Sequence, residues 1–406
     1  MKSVLIAFFV FCGFTPSLYG FETSPFDYQG VEGSLNPSFA TSGISVAARD
    51  SDSSVISLAD RLSDSSDQSM GELVDEHTEG QWFLGYRYGD LDQEPVNLFT
   101  LKRGYITFKN RFDERWSVRY TQDITLDQEG SDRGNVEFRL KYCYIQYETE
   151  DFLFFSEPAI EAGVVHRPWI DYEQDINPYR VQGTMFLERV GVLSSADFGI
   201  TFSSLLGGKM SRQYQERVGD EYPGRYGSFS IGIYNGGGYH ALEYNQSKNL
   251  ESRLTLRPFP DFLPGLQFTY NLALGKGNTE LAPDFIMHSG FVSYEREYLT
   301  LTGQYYSALG NASGSYANSR GHARHNEGYS VFSEYQIPHS PFTVFGRYDF
   351  FDSGTMVFPD SRRLIMGACF YFFRQNKLII DVDALDKGVN GNWNNRMYEM
   401  ALEIRF

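Results

Sequence analysis

The sequence predicts an all-β fold, a transmembrane, antiparallel, up-and-down barrel of about sixteen strands with an inward-folding loop and a flexible amino-terminal arm. Three observations carry that expectation. The 406-residue chain repeats segments in which apolar and polar side chains alternate, the period of a strand whose two faces meet different surroundings. Past residue 20, no apolar run approaches the ~20 residues that a membrane helix needs. Aromatic residues form 16% of the chain, with 34 Phe and 28 Tyr, while mean hydropathy is −0.37. That pairing suits a barrel that is apolar on one face, with aromatic girdles at its two water interfaces.

The elements follow in chain order. Residues 1–20 read MKSVLIAFFVFCGFTPSLYG. Lys2 precedes an uncharged apolar run from Val4 to Phe14, and Ser17 to Gly20 offers a cleavage site. This is the layout of a secretory signal peptide and implies export. Residues 21–80 are rich in Ser, Asp and Gly. Two readings stand there: a low-complexity periplasmic arm without fixed structure, or a short helix or plug using Ile56, Leu58, Leu62 and Leu73 as its apolar positions.

The barrel is expected over 81–406. QWFLGYRYG opens it, followed by LKRGYITFKNRF and RWSVRYTQDITL. In the last of these, Trp116, Val118, Tyr120, Ile124 and Leu126 form one face, and Arg115, Ser117, Arg119, Thr121 and Asp123 the other. VEFRLKYCYIQY sets Val136, Phe138, Leu140, Tyr142 and Tyr144 against Glu137, Arg139, Lys141 and Cys143. The scheme recurs up to MYEMALEIRF, where Tyr398, Met400, Leu402, Ile404 and Phe406 alternate with Met397, Glu399, Ala401, Glu403 and Arg405. Segments of about ten residues match a tilted membrane strand. Lipid offers the backbone no partner, so the last strand must pair with the first, near Trp82 to Gly89. Short turns such as NRFDE alternate with long stretches such as SALGNASGSYANSRGHARHNEG, as expected for periplasmic turns and extracellular loops. A barrel of about sixteen strands encloses an aqueous channel, so its polar face lines water. Cys143 and Cys369 are expected as two buried or lumenal thiols rather than a disulfide framework.

One stretch, HRPWIDYEQDINPYRVQGTMFLERVGVLSSADFGITF, lacks the alternation. It is too long for a tight hairpin and is expected to fold inward and narrow the lumen. Together LKRGYITFKNRF, VEFRLKYCYIQY, AGVVHRPW, MFLERVG and SSADFGITF resemble the phosphate-selective porin O and P family of outer-membrane channels, from Leu98 to Leu205. The points of likeness are Arg103, Gly163 with Pro168 and Trp169, and Phe186 with Glu188 and Arg189. The resemblance implies a sixteen-stranded barrel, commonly trimeric, that passes small anions, with Phe406 read by the assembly machinery. The chain departs from the family at His166, where members often carry lysine, and in the mixed charge of its inner face.

Arg103, Lys109, Arg115, Arg119, Arg139, Lys141 and Arg167 form the expected basic pore lining. Asp349, Asp381, Asp383, Glu399 and Glu403, with Glu334, form an expected acidic wall. The loop adds Asp171, Glu173, Asp175, Arg180, Glu188 and Arg189 at the constriction. Selectivity follows from the sign and spacing of charge at the narrowest point, and a basic wall facing an acidic one would orient dipolar solutes. Two plainer readings stand beside this. The basic cluster can serve as lumenal salt bridges, and Glu188 with Arg189 can anchor the loop to the wall.

A formal charge of −17 excludes the basic footprint that nucleic acid requires. The expected partners are outer-membrane lipid, small hydrophilic solutes and further copies of the chain in a homotrimer. The expected place is the outer membrane of a Gram-negative-type bacterium. The expected function is passive diffusion of small hydrophilic solutes, with anions such as phosphate among them. A plugged or non-channel barrel, such as an adhesin or a specific transporter, is the alternative. An enzyme is a weaker one. His288 and Ser289 are adjacent on a strand and point to opposite faces. His322, His325 and Glu327 lack the framework of a metal site, and no phosphate-binding loop is present. Enzymatic activity, cofactor and metal are not expected.

Overall fold

The computed structural model describes residues 78–91, 94–127, 133–354, 360–373, 376–388, 393 and 395–406. The expected signal peptide and the arm up to residue 77 lie outside them. The first strand begins at Thr78, slightly ahead of the expected Gln81.

In chain order the strands are β1 (Thr78–Leu91), β2 (Glu94–Arg111), β3 (Trp116–Leu126), β4 (Val136–Glu148), β5 (Phe155–His166), β6 (Ala196–Leu206), β7 (Gly227–Tyr234) and β8 (Asn249–Leu256). They continue as β9 (Leu266–Lys276), β10 (Asp284–Arg296), β11 (Leu299–Leu309), β12 (His325–Gln336), β13 (Phe342–Asp352), β14 (Ser361–Phe372), β15 (Asn376–Asp386) and β16 (Asn395–Arg405). Each pairs antiparallel with its sequence neighbours, and β1 pairs with β16, so sixteen strands close into one barrel. Closure leaves no sheet edge unpaired.

The seam is the one expected. Trp82 lies opposite Ile404, and Tyr88 opposite Tyr398. Gly80 and Phe406 exchange backbone hydrogen bonds of 2.8 and 3.1 Å. The Phe406 ring lies over Gly80, where an added Cβ would meet it at 2.3 Å. The glycine lets the terminal ring lie directly on the strand; a side chain there would push it aside.

The barrel is apolar outside and largely polar inside, the reverse of a soluble protein. Outward-facing Leu254, Tyr270, Val331, Met366, Ile380 and Met400 are exposed, while inward Thr269, Asn271, Ser289, Glu399 and Glu403 are buried. An apolar exterior carried around a closed barrel calls for a lipid surrounding.

Two β-bulges shift the expected faces. Between β3 and β4 the register steps from Thr121↔Tyr142 to Gln122↔Leu140, leaving Lys141 unpaired. An extra residue on one strand moves everything beyond it to the other face. Tyr142 and Tyr144 therefore point inward and are buried, and Cys143 points outward and is exposed. This corrects the expected stripe of β4 and the expected buried or lumenal Cys143. A second bulge, between β1 and β2, leaves Lys102 unpaired beside Arg103. Both bulged residues are lysines, and both side chains turn to the lumen.

A further correction concerns the inner face, which is not polar throughout. Phe83, Phe285, Met287, Phe291, Phe332, Phe345, Ile365, Ile379 and Ala401 point inward and are buried. They occupy β1 and β10 to β16, and they make an apolar floor on one side of the barrel.

Connections are short at one end and mostly longer at the other. The β6–β7 connection breaks this rule. It lies at the short-turn end, yet it runs over residues 207–226 and carries a short helix, Arg212–Arg217.

Candidate functional site

The inward loop lies between β5 and β6 and contains α1 (Ile170–Ile176) and α2 (Phe186–Arg189); the Arg212–Arg217 helix is α3. From the α1 cap onward the apolar positions Trp169, Tyr172 and Ile176 recur at helical spacing, and all three are buried. Pro178 stops the helix by holding Asn177 extended, at φ −108° and ψ 96°. The apolar face meets Ala273, Phe285, Met287 and Phe291 of the wall, with Trp169 edge-on to Phe291 at 5.2 Å between centroids. Further along, Tyr179 stacks on Phe345 at 4.0 Å. Its hydroxyl contacts Glu334 at 3.0 Å and Thr343 at 2.9 Å. In α2, Phe186 packs on Tyr306 at 5.7 Å. The loop thus lies along the apolar floor and fills that side of the lumen.

Wall cations hold the loop by its backbone. Arg253 donates to the Pro168 carbonyl at 2.8 Å, Lys377 to Pro178 at 2.7 Å, Lys102 to Gln182 at 2.8 Å and Arg347 to Thr184 at 3.2 Å. A buried cation needs a counter-charge or several acceptors, and the late acidic residues supply the charge. Glu399 pairs with Lys102 at 2.5 Å, and Glu403 with Lys377 at 3.4 Å. Asp349 pairs with Arg347 at 2.8 Å and with Arg189 at 3.3 Å. Asp383 pairs with Arg363 at 2.6 Å and accepts from Gln182 at 3.3 Å. Asp381 is buried among them. The expected acidic wall is therefore corrected. These carboxylates lie behind the loop and do not face open water; all but Asp381 pair with a cation there.

Within the loop, Glu173 is buried and accepts a 2.9 Å hydrogen bond from the Trp169 indole. Burial pushes its carboxyl up to about 7. Burial, with Arg347 and Arg363 nearby, brings Arg189 down to about 9.

The other side of the lumen stays open. A cavity of about 600 Å³ runs between the loop and the inner faces of β1 to β7. Three cations line it without a close carboxylate. Lys141 lies 4.5 Å from the Tyr105 ring centre and 5.2 Å from that of Tyr142. Arg119 contacts His166 Nε2 at 3.1 Å and sits 4.7 Å over Tyr142. Arg180 has only Glu188, at the 4.0 Å outer limit of an ion pair. Beside Arg119 and Lys141, Asp171 accepts from the Tyr142 hydroxyl at 2.9 Å and lies 3.8 Å from His166 Nε2, and Asp175 is exposed to the cavity.

The other expected basic residues serve elsewhere. Arg103 and Arg139 both pair with Asp123, at 3.2 and 3.1 Å. Lys109 sits near the rim, 2.8 Å from Glu79. Two are corrections. Arg115 lies in the β2–β3 turn, paired with Glu150 at 2.7 Å, because the strand starts one residue later. Arg167 is fully buried; its Nε donates to Glu251 at 3.1 Å and its Nη1 to Ser194 at 2.8 Å. It fastens the root of the loop to β8.

Several site residues went unforeseen. The β6–β7 segment sends Asp220, Glu221 and Tyr222 into the cavity from the short-turn end. Tyr222 holds a left-handed φ of 45°, which is costly for a residue with a Cβ. It meets Tyr172 edge-on at 5.3 Å and Arg253 at 4.7 Å. The available signal was a Gly- and charge-rich run too long for a hairpin turn. Lys102 carries no comparable signal, because a bulge has no local mark there.

Comparison with solved structures gives matches over 81% of this chain. They include an anion-selective porin from Comamonas acidovorans (11% identity, 98% of that chain, TM-score 0.55). The Salmonella typhi OmpF complex with daunomycin matches at 12% identity, 97% of that chain and TM-score 0.52. A loop-deletion form of OmpT, an outer membrane protein of Vibrio cholerae, matches at 9%, 98% and 0.52. The fold is a porin-type barrel. No family model matches the chain, and no curated protein matches it in sequence. The likeness to the phosphate-selective family thus stays with its short motifs. In the porin-type barrel those motifs fall on β2, on β4 and around the loop: Gly163 adopts φ +135° within β5, Pro168 and Trp169 lead into α1, and Phe186, Glu188 and Arg189 lie in α2.

His288 points outward to the Tyr270 hydroxyl at 2.5 Å, while Ser289 is buried inside. His325 contacts Ser307 at 3.0 Å, and Glu327 accepts from Tyr305 at 2.7 Å. Among the described residues, no group of three potential metal ligands comes together.

Proposed function

We propose that the chain is an outer-membrane pore for passive diffusion of small hydrophilic solutes. One observation carries this reading. A water-accessible cavity of about 600 Å³ lies between the loop and the open wall of a closed sixteen-strand barrel. Its lining is polar and charged, so it suits hydrated solutes rather than apolar ones. The apolar exterior supports insertion in a bilayer, and an exported chain of this kind belongs in the outer membrane of a Gram-negative-type bacterium. We place the short turns toward the periplasm and a homotrimer as the working assembly.

Small anions, phosphate among them, are the solutes that Lys141, Arg119 and Arg180 favour. The three present charge that no close carboxylate cancels, and anions gain from it in a confined lumen. No catalytic step is assigned. The test is planar-bilayer recording on purified protein in a KCl gradient. Stepwise conductance with an anion-leaning reversal potential is expected. A silent barrel would favour the plugged or adhesive alternative.

A further inference from the structure

Most charges facing the lumen are paired, as described for Arg103, Arg139, Lys102, Lys377, Arg347, Arg363 and their carboxylates. Outside the cavity, among the described residues, Asp381 and Arg253 also lack an ion pair, but both are buried, and Arg253 is satisfied by the Pro168 carbonyl and the Ser228 and Thr255 hydroxyls. Within the cavity the unpaired charges fall into two sets. The first is Lys141, Arg180 and Arg119. Lys141 is 6% exposed and has no anionic partner, and the buried Tyr105 hydroxyl beside it makes no hydrogen bond. The ammonium is flanked by ring faces and opens only onto the cavity, so its charge is offered to whatever solute enters there.

The second set is Asp175 of α1 with Asp220 and Glu221 of the β6–β7 segment. All three are exposed to the cavity, and none accepts a hydrogen bond or ion pair from a described residue. Enclosure in the lumen, with Glu221 and Asp171 close by, pushes the Asp175 carboxyl well up. Enclosure and Asp220 do the same to Glu221. Carboxylates that raise one another's pKa gain when a cation comes between them.

We propose that the cavity selects small zwitterions of the amino-acid class, carboxylate toward Lys141 and Arg180, ammonium toward Asp175 and Glu221. This rests on the pore reading above and, because the acidic set opposes free anions, puts zwitterions ahead of the small anions named there. A monoanion meets one favourable set and one repulsive set. A neutral solute meets neither, and a zwitterion satisfies both. A cavity of about 600 Å³ has room for a single amino acid or a short peptide with some of its water. The β6–β7 segment thereby acquires a role, since it supplies two of the three free carboxylates.

The test uses the full mature chain in liposomes. KCl conductance is recorded first, and swelling rates are then compared for glutamine, a size-matched neutral polyol and a size-matched monocarboxylate. The expected order puts glutamine at least about threefold ahead of the polyol, a difference equivalent to roughly 0.6 kcal/mol. Lys141→Gln and the double variant Asp175→Asn with Glu221→Gln should each erase that lead. The two should move the monocarboxylate in opposite directions, slower in the first and faster in the second. Glutamine no faster than the polyol, in a barrel that conducts KCl, overturns the zwitterion proposal alone. Faster glutamine after removal of the acids does the same. Absence of KCl conductance overturns the pore reading and this proposal together. Heat-modifiable migration of each variant confirms that the barrel has folded.

Discussion

The two sides of the lumen use the same residue types for opposite ends. On the filled side, β8 to β16 with β1, inward apolar residues receive Trp169, Tyr179 and Phe186. Lysines and arginines there hold loop carbonyls, and carboxylates neutralise them. On the open side, β2 to β7, Lys141, Arg119, Asp175, Asp220 and Glu221 face water without a close opposite charge. The sign of a lumenal residue therefore says little about selectivity. Whether it is already neutralised decides.

Releasing the filled side should have the largest effect. Trp169→Ala removes the largest buried anchor of α1, at a cost of about 3–5 kcal/mol. Single-channel conductance should rise and become noisy, while the detergent-resistant barrel persists on unheated gels. Arg167→Met should lower the thermal midpoint by a comparable amount, because stranding the buried Glu251 costs about 3–5 kcal/mol. Adding Glu251→Leu should recover much of that loss in a thermal melt.

Charge removal separates the two sides directly. Asp381→Asn, behind the loop, should leave the reversal potential in a salt gradient within error of the native value. Lys141→Gln, on the open side, should move it toward cation preference. Equal shifts from both would erase the distinction. The smallest effect is that of Glu173. Its folded pKa of about 7 exceeds the ordinary 4.5. Between those values the unfolded chain gives up its proton and the folded chain keeps it, so stability falls as pH rises through that window and stays reduced above it. Glu173→Gln should therefore match the native protein near pH 4.5 and melt higher at pH 8, by on the order of 1–3 kcal/mol.

The barrel itself was legible because its cause is local and repeated. Alternation in MYEMALEIRF and its counterparts places each strand's two faces, and backbone pairing in lipid then demands closure. The constriction loop was legible as the longest break in that pattern. Lys141 and Tyr142 show what was hidden. A bulge shifts faces without changing composition, so the stripe beyond Leu140 reads wrongly by one residue. Inward Phe285, Phe332 and Phe345 were hidden as well, because an apolar residue on the inner face leaves the outer stripe of its strand unchanged and gives no sign of the loop that covers it. The acidic residues of the late strands were found but misjudged. Only the loop lying over them shows that Glu399 and Glu403 are already paired.

Thiol labelling of the lumen tests the division between the two sides most directly. In a background with Cys143→Ser and Cys369→Ala, Asp175→Cys and Asp381→Cys are compared under a bulky, water-soluble methanethiosulfonate during bilayer recording. Rapid, reducible block at position 175 and none at position 381 is the predicted result. Block at both positions, or at 381 alone, would show that the loop does not fill that side and would contradict the eccentric pore.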